Sequence, residues 1–183
     1  IIAAASSVAP TSSVVTADDN IWMGVACDAG TEKAYLEVYR SADIEQWGAP
    51  VLTVAQEGKA VAGGFFFLDP NGALQLYYTV KGDPDTIFNM ACANPLASPS
   101  SWSEPVAIGA GYVSAAPVAS ADGRLFLPVH DSQRGPFTLS SGDGGKTWTE
   151  GAVQNVPERL FARDNNPRLY TGADGKLSMV SRA

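Results

Sequence analysis

The stretch Ser141-Gly142-Asp143-Gly144-Gly145-Lys146-Thr147-Trp148 has the chemistry of a tight turn that leads into a strand. Serine and aspartate side chains accept hydrogen bonds from nearby backbone amides and so hold a turn closed. Two consecutive glycines supply the positive-φ conformations that such a turn requires. Threonine and tryptophan suit the strand that follows. The stretch therefore predicts a fixed turn between two strands, and its meaning for the fold depends on whether such turns recur.

Turn signals recur along the chain with a period close to 52 residues. Asn20, Gly72, Gly123 and Gly175 end four such turns, so that the successive spacings are 52, 51 and 52 residues. Asn-Gly and Asp-Gly between apolar runs are strong hairpin signals. The predicted strands before the turns are 12–16, 64–68, 115–119 and 167–170, and those after them are 21–27, 73–80, 124–129 and 176–180.

A tryptophan marks a second position in three of the repeats. Trp47 and Trp102 each begin a Trp-x-x-Pro sequence, and Trp148 takes the same place in the third repeat. Ser41-Ala42-Asp43 before Trp47 is a reduced form of the Ser141–Trp148 pattern, whereas residues 97–101 before Trp102 contain no counterpart. Repeats of this length with about four strands each are typical of a β-propeller, and no window shows a helical period. We predict an all-β chain whose blades cover residues 1–53, 54–110, 111–157 and 158–183.

The fourth repeat ends after its second strand. Three and a half four-stranded blades leave sheet edges and apolar faces uncovered, and residues 1–8 are long enough for only one further strand. We therefore expect the chain to be part of a larger propeller, as a fragment, a processed piece or the partner of another chain.

Composition narrows the class of function. The net charge of −7 argues against a nucleic-acid partner, which needs clustered Lys and Arg. No apolar run approaches the length of a membrane span. The two cysteines, Cys27 and Cys92, fit neither a zinc site nor a disulfide scaffold, and we expect two buried thiols, with one disulfide as the alternative.

The whole repeat resembles the sialidase-like (neuraminidase) superfamily, in which turns like Ser141–Trp148 are called Asp-boxes or BNR repeats. Residues 117–128, 141–148 and 165–182 carry the resemblance most closely. It implies a propeller of six blades, of which this chain would supply about three and a half. Asp-boxes lie at the periphery of blades and also occur in proteins that are not sialidases, so Ser141, Asp143 and Trp148 are expected to be structural.

Strand direction alternates within a blade, so the Asp-Gly turns and the Asp-boxes share one end of the sheets. The opposite end carries the loops before each first strand and after each second strand, and binding residues are expected on such loops. The polar residues at that end are Asp28, Lys81, Asp83, Asp85, His130, Asp131, Arg134, Arg163, Asp164, Asn165, Asn166 and Arg182.

Arg182 follows the last strand, where the resemblance implies one arginine of a carboxylate-binding triad. Arginine can grip a carboxylate with two parallel hydrogen bonds. The catalytic glutamate of the family would fall at Asn166, whose amide cannot take a proton from a tyrosine nucleophile. Asp164 could substitute for it if its loop turns inward. Arg163, Asn165 and Asn166 are further candidates for substrate binding.

The pair His130-Asp131 follows the predicted strand 124–129. Histidine can act as acid, base or hydrogen-bond donor near neutral pH, so His130 is a catalytic candidate and Asp131 a substrate-binding candidate. A local hydrogen bond within a loop is the simpler alternative. We expect no metal or other cofactor, because a lone histidine lacks companions at ligand spacing. Tyr112, on a predicted loop, could stack on a sugar ring.

These residues imply a sialidase-like exo-glycosidase that acts on terminal sialic acid or a related acidic sugar of glycans. The full propeller would have to be present, because the tyrosine nucleophile and a third arginine would lie beyond residue 183. One alternative is a non-catalytic carbohydrate-binding propeller that has lost the glutamate. Another is a glycosidase for neutral or uronic-acid sugars of the arabinanase-like kind. A secreted or periplasmic location fits a glycan ligand.

Overall fold

The computed structural model describes residues 7–98, 100–151, 168–172 and 177–180, and every regular element in these ranges is a β-strand. No helix that could cross a membrane occurs among the described residues. The strands are β1 (Val8–Val15), β2 (Ile21–Cys27), β3 (Tyr35–Ser41), β4 (Leu52–Val54), β5 (Val61–Leu68), β6 (Leu74–Val80), β7 (Thr86–Cys92), β8 (Val106–Ala110), β9 (Tyr112–Val113), β10 (Val118–Ala119), β11 (Leu125–Asp131), β12 (Gly135–Ser141), β13 (Thr149–Glu150), β14 (Arg168–Thr171) and β15 (Leu177–Val180).

The strands form four sheets in which neighbours in sequence are neighbours in the sheet. The orders are β1-β2-β3-β4, β5-β6-β7-β8, β10-β11-β12-β13 with β9 beside β11, and β14-β15. The first, third and fourth sheets are antiparallel throughout. This up-and-down pattern is that of propeller blades and confirms the predicted all-β class.

The chain divides into two compact units, residues 1–83 with 88–106 and residues 84–87 with 107–183. The first unit has a continuous core, because alternate residues of its strands turn apolar side chains to the same side. Its buried members are Trp22, Leu36, Val38, Val54, Val61, Phe66, Leu74, Leu76, Tyr78, Val80, Met90 and Cys92. Cys27 and Cys92 are both buried and free, as expected for core thiols.

Within the first unit, β1 and β5 approach each other closely at Gly64. The Thr11 hydroxyl donates a hydrogen bond to the Gly64 carbonyl over 2.6 Å, and the Ser12 hydroxyl donates to the same carbonyl over 3.1 Å. Ser12 Oγ also accepts a bond from the Phe66 amide over 2.9 Å. Polar side chains of one sheet thus bond the backbone of the next, which is possible only where no bulky side chain intervenes.

The Ser141–Trp148 turn is closed by its own side chains. Ser141 is 1% exposed, and its hydroxyl oxygen accepts a bond from the Gly145 amide over 2.9 Å. One carboxylate oxygen of Asp143 accepts bonds from the Lys146 and Thr147 amides over 3.1 and 2.9 Å, and the other accepts from the Thr147 hydroxyl over 2.5 Å. The Trp148 indole donates to the Gly145 carbonyl over 2.9 Å. Gly144 and Gly145 have φ values of 75° and 91°, in agreement with the prediction.

The first sheet repeats this arrangement without the glycines. The Asp43 amide donates to Ser41 Oγ over 3.0 Å, and Asp43 Oδ1 accepts from the Glu45 amide over 2.8 Å. The Trp47 indole donates to the Ile44 carbonyl over 2.8 Å, three residues back, as Trp148 does to Gly145. The reduced pattern in the sequence therefore folds to an equivalent turn.

The second sheet keeps only one element of this turn, and the Trp102 indole nitrogen has no hydrogen-bond partner among the described residues. Ser41 and Ser141 are the last residues of β3 and β12, and Cys92 is the last residue of β7. Asn94 stands two residues later, where the other turns have aspartate, and its Oδ1 accepts a bond from the Leu96 amide over 3.2 Å. The connection to Trp102 is longer in this sheet, and residues 97–101 contain no counterpart of the Ser141–Trp148 pattern, as the sequence predicted.

Replacing Asp143 with asparagine should make the protein less stable at neutral pH and remove part of its acid sensitivity. The Thr147 hydroxyl and amide bonds hold the pKa of Asp143 well below its ordinary value of 3.8. The stability that the carboxylate contributes is therefore complete above that value and is lost as the pH falls towards the lowered pKa. In thermal unfolding followed by circular dichroism, the difference between wild type and Asp143→Asn should narrow from about pH 5 to pH 2.

The matched control is Asp19→Asn, at an exposed turn position with φ of 60° that asparagine tolerates. This variant should track the wild type across the same pH range. A constant difference between Asp143→Asn and the wild type would contradict the assignment.

Candidate functional site

Two of the seven predicted site residues lie in the described part of the chain, His130 and Asp131. Both belong to β11, not to the predicted loop, because Gly135 of β12 pairs with Asp131 and so extends the strand beyond residue 129. The other five lie outside the described residues: Arg163, Asp164, Asn165, Asn166 and Arg182.

His130 is held in a row of three side chains across the third sheet. It is 2% exposed, and its register partners are Tyr112 on β9 and Pro136 on β12. Residues opposite each other in a sheet share a face, so His130 and Tyr112 project from the same face of the third sheet. This row is at the sheet end opposite the Ser141–Trp148 turn. The prediction that Tyr112 lies on a loop is wrong, since Tyr112 is the first residue of β9, which pairs with β11.

Gly111 sets the position of Tyr112 against the end of β11. Its amide donates to the Asp85 carbonyl over 2.8 Å, and its φ is +120°, which side-chain-bearing residues rarely adopt. A Cβ atom there would lie 2.6 Å from Val129 Cγ1 and 3.2 Å from the His130 carbonyl oxygen. Only glycine lets the chain pass so close, and the close passage brings the Tyr112 strand against His130.

Two short strands, β9 and β10, pair with the same side of β11, and the chain between them does not pair as a strand. Ser114 follows β9, and both its amide and its hydroxyl donate to the Pro128 carbonyl, over 3.2 and 3.1 Å. Because Pro128 precedes the end of β11 by only a few residues, these two bonds fix the backbone next to His130. β14 packs against β10 and β11 of this sheet.

Asp131 has a structural environment. Its Oδ1 accepts bonds from the Gln133 and Arg134 amides over 2.8 and 2.9 Å, and Arg134 Nε lies 3.5 Å from Oδ2. Burial acts to raise the pKa of Asp131, but these amide bonds and the Arg134 charge outweigh it and lower the pKa. Arg134 itself bonds Glu150 over 2.6 Å and covers the Phe137 ring at 4.6 Å. Asp131 and Arg134 therefore close the β11–β12 turn.

A buried acid that the sequence did not suggest lies on the first sheet. Glu37 is 5% exposed, and its Oε2 accepts a bond from the Tyr39 hydroxyl and lies 3.7 Å from Cys27 Sγ. Burial, and then the carboxylate, raise the pKa of Tyr39 and the pKa of Cys27. The phenol and the thiol therefore stay protonated at neutral pH and serve as donors to Glu37. The sequence did contain a signal for this buried acid, because Glu37 stands between Tyr35 and Tyr39 at alternate positions of one strand.

The row around His130 combines an imidazole with a phenol on one face of the third sheet. An imidazole and a phenol can each donate and accept hydrogen bonds. Among the described residues, no group of three His, Cys, Asp or Glu side chains is placed to hold a metal ion.

Three solved structures of glycoside hydrolases share the fold. A Hadza microbial sialidase is 15% identical with a TM-score of 0.61, over 80% of this chain and 37% of that one. Trypanosoma rangeli sialidase, solved with 2,3-difluorosialic acid, is 16% identical with a TM-score of 0.64, over 97% and 34%. The endo-arabinase of Bacteroides thetaiotaomicron is 13% identical with a TM-score of 0.62, over 96% and 69%.

These likenesses establish a sialidase-like β-propeller fold for the chain, which spans little more than a third of either sialidase. Comparison with curated protein sequences gives no significant match. A family model, described as the BNR repeat-like domain, matches residues 22–183. Because this match covers most of the chain, the protein belongs to the BNR repeat-like domain family.

Proposed function

We propose that the chain is part of a sialidase-like glycoside hydrolase that acts on terminal sialic acid or a related acidic sugar of glycans. The observation that carries the proposal is the buried His130, which pairs with Tyr112 in the third sheet. The two residues lie at the end of this sheet opposite the Ser141–Trp148 turn. In this assignment the Ser141–Trp148 turn is an Asp-box with a structural role.

The residues around β14 and β15 would complete the site. β14 packs against β11, and Asp164, Asn165 and Asn166 precede β14 in the sequence. In the sequence Arg182 follows β15, which is the second strand of the fourth sheet. Asp131 has a similar place in the third sheet, where it ends β11. We assign Arg182 to the substrate carboxylate, with Arg163, Asn165 and Asn166 as further binding residues.

His130 and Asp164 are the candidates for acid–base work at the glycosidic bond. A positioned histidine or carboxylic acid can protonate the leaving oxygen of a departing sugar. The remaining catalytic groups would come from further blades or from a second chain. An enzyme of this kind meets its glycan outside the cytoplasm, so we also propose a secreted or periplasmic location.

Two other functions have support of their own. Asn166 stands where the resemblance implies a glutamate, which favours a propeller that binds glycans without cleaving them. The match to an endo-arabinase over 96% of this chain favours a glycosidase that acts on neutral sugars.

Activity of the full-length protein on a fluorogenic sialoside tests the proposal, with arabinan as a parallel substrate. We expect release of sialic acid, and we expect His130→Gln to lower kcat/KM about a hundredfold or more, the usual contribution of a general acid. The control is Asp122→Asn, an exposed residue at the turn end of the same sheet, which should keep full activity. Near-UV circular dichroism verifies that both variants fold.

The alternatives give different results in the same assay. Hydrolysis of arabinan alone would replace the sialidase assignment by the neutral-sugar one. Binding to a glycan array without turnover of either substrate would identify a carbohydrate-binding protein. Full activity of a folded His130→Gln variant would remove His130 from the chemistry.

A further inference from the structure

A groove of mixed polarity lies at the turn end of the first sheet, in the first compact unit. Its volume is about 490 Å³, within the range of small-ligand sites. It is far in sequence from His130, and neither His130 nor Tyr112 is among its lining residues. The lining residues of this Arg40 groove are Asn20, Arg40, Ser41, Ala42, Val51, Ser98 and Ser100.

Arg40 is held rigidly at the groove by three acceptors. Nη2 donates to Asp18 Oδ2 over 3.0 Å and to the Leu96 carbonyl over 3.4 Å, and Nη1 donates to the Ala97 carbonyl over 2.7 Å. The guanidinium also lies 5.5 Å from the centre of the Trp22 ring, on the neighbouring strand. A guanidinium has five N–H groups, so the Nε hydrogen and one Nη1 hydrogen are left without an acceptor among the described residues.

The charge of Arg40 is balanced within the protein. Asp18 is ionised at neutral pH and pairs with Arg40, and the Thr16 hydroxyl bond lowers the pKa of Asp18 further. The pair has no net charge. The groove therefore offers directed N–H donors without a strong positive field, which favours a neutral ligand over a simple anion.

The other lining groups supply acceptors and hydroxyls. Asn20 uses its amide nitrogen on Asp18, over 2.6 Å to Oδ2, so its side-chain oxygen is available as an acceptor. Ser98 and Ser100 add two hydroxyl groups that can each donate and accept. Val51 is 39% exposed and adds an apolar surface. A sugar ring presents the complementary surface, hydroxyls of mixed polarity around a C–H face.

We propose that the Arg40 groove is an accessory binding site for a neutral saccharide. Arg40 would donate to ring or glycosidic oxygens, Asn20 would accept from a hydroxyl, and the two serines would bond neighbouring hydroxyls. The site does not depend on the proposed hydrolase activity, because none of its lining residues is assigned a role in that activity.

Isothermal titration of the full-length protein with lactose and with arabinobiose tests the site, with sodium acetate as the anionic probe. We expect one of the disaccharides to bind, and the double variant Ser98→Ala/Ser100→Ala to weaken this binding about tenfold, the effect of losing two neutral hydrogen bonds. Ala42→Tyr, which fills the groove, should abolish it. Ser13→Ala, on exposed β1, is the matched control and should bind as the wild type does.

Activity on the sialoside separates this site from the proposed hydrolase site. The groove variants should keep wild-type turnover while they lose disaccharide binding, whether or not the protein proves to be a sialidase. The proposal fails if neither disaccharide binds, if only acetate binds, or if the groove variants keep wild-type affinity for the disaccharide that binds.

Discussion

Replacing Gly64 with alanine is expected to destabilise the protein by about 3 kcal/mol, because backbone strain and a steric clash add at this position. Gly64 has a φ of +110°, a conformation that L residues rarely adopt. A Cβ atom would lie 2.9 Å from Thr11 Oγ1 and 3.2 Å from both methyl carbons of Leu36. Thr11 cannot retreat without losing its bond to the Gly64 carbonyl, and Leu36 is buried in the core.

Two other glycines separate the strain from the clash. Gly72 has a φ of +85°, and a Cβ atom added there would meet nothing within 4 Å, so Gly72→Ala should cost about 1 kcal/mol for strain alone. Gly48 has neither a positive φ nor a close neighbour, and Gly48→Ala should be nearly neutral. Urea unfolding at equilibrium gives all three values. Equal costs at Gly64 and Gly72 would show that the close approach of β1 and β5 contributes nothing.

Substituting Arg182 with alanine should lower kcat/KM for a sialoside at least a hundredfold. In the proposed function this arginine makes two charge-assisted hydrogen bonds to the substrate carboxylate, each worth about 1.5–3 kcal/mol. Arg182→Lys should recover only part of the loss, because an ammonium group is a point charge and lacks the planar fork. Initial rates on a fluorogenic sialoside provide the measurement.

A change in the substrate provides a control for the role of Arg182, in addition to the protein variants. Against a sialoside whose carboxylate has been reduced to an alcohol, wild type and Arg182→Ala should be equally poor, since the interaction is absent in both. Arg124→Ala removes an exposed arginine at the turn end of the third sheet and should leave the rate unchanged. Undiminished activity of Arg182→Ala on the intact sialoside would exclude its assigned role.

The repeat was predictable because its turns depend on local chemistry. The strand after the first turn was predicted at residues 21–27 and is β2 (Ile21–Cys27), since Asp-Gly and Asx turns are encoded by adjacent residues. Ser141 and Asp143 were likewise recognisable as turn-closing groups. After β7 the turn has Cys92 and Asn94 in place of the serine and aspartate, and the pattern of residue types did not identify it.

The surroundings of His130 depend on residues distant in sequence and could be predicted only in part. The apolar run ended at residue 129, but strand pairing with Gly135 carried β11 on to Asp131. Contact between Gly111 and Val129 placed Tyr112 in the sheet, and no local signal reports such a contact. The environment of Glu37 was predictable only in part, because its donor Tyr39 is a near neighbour in sequence whereas its donor Cys27 lies on the adjacent strand.

The two cysteines allow the stability of individual sheets to be followed in solution. Cys27 ends β2 in the first sheet and Cys92 ends β7 in the second, and both side chains are fully buried. A thiol-reactive reagent can modify each of them only after the surrounding strands open locally. The labelling rate at each cysteine therefore reports the free energy of opening of its own sheet, without any introduced probe.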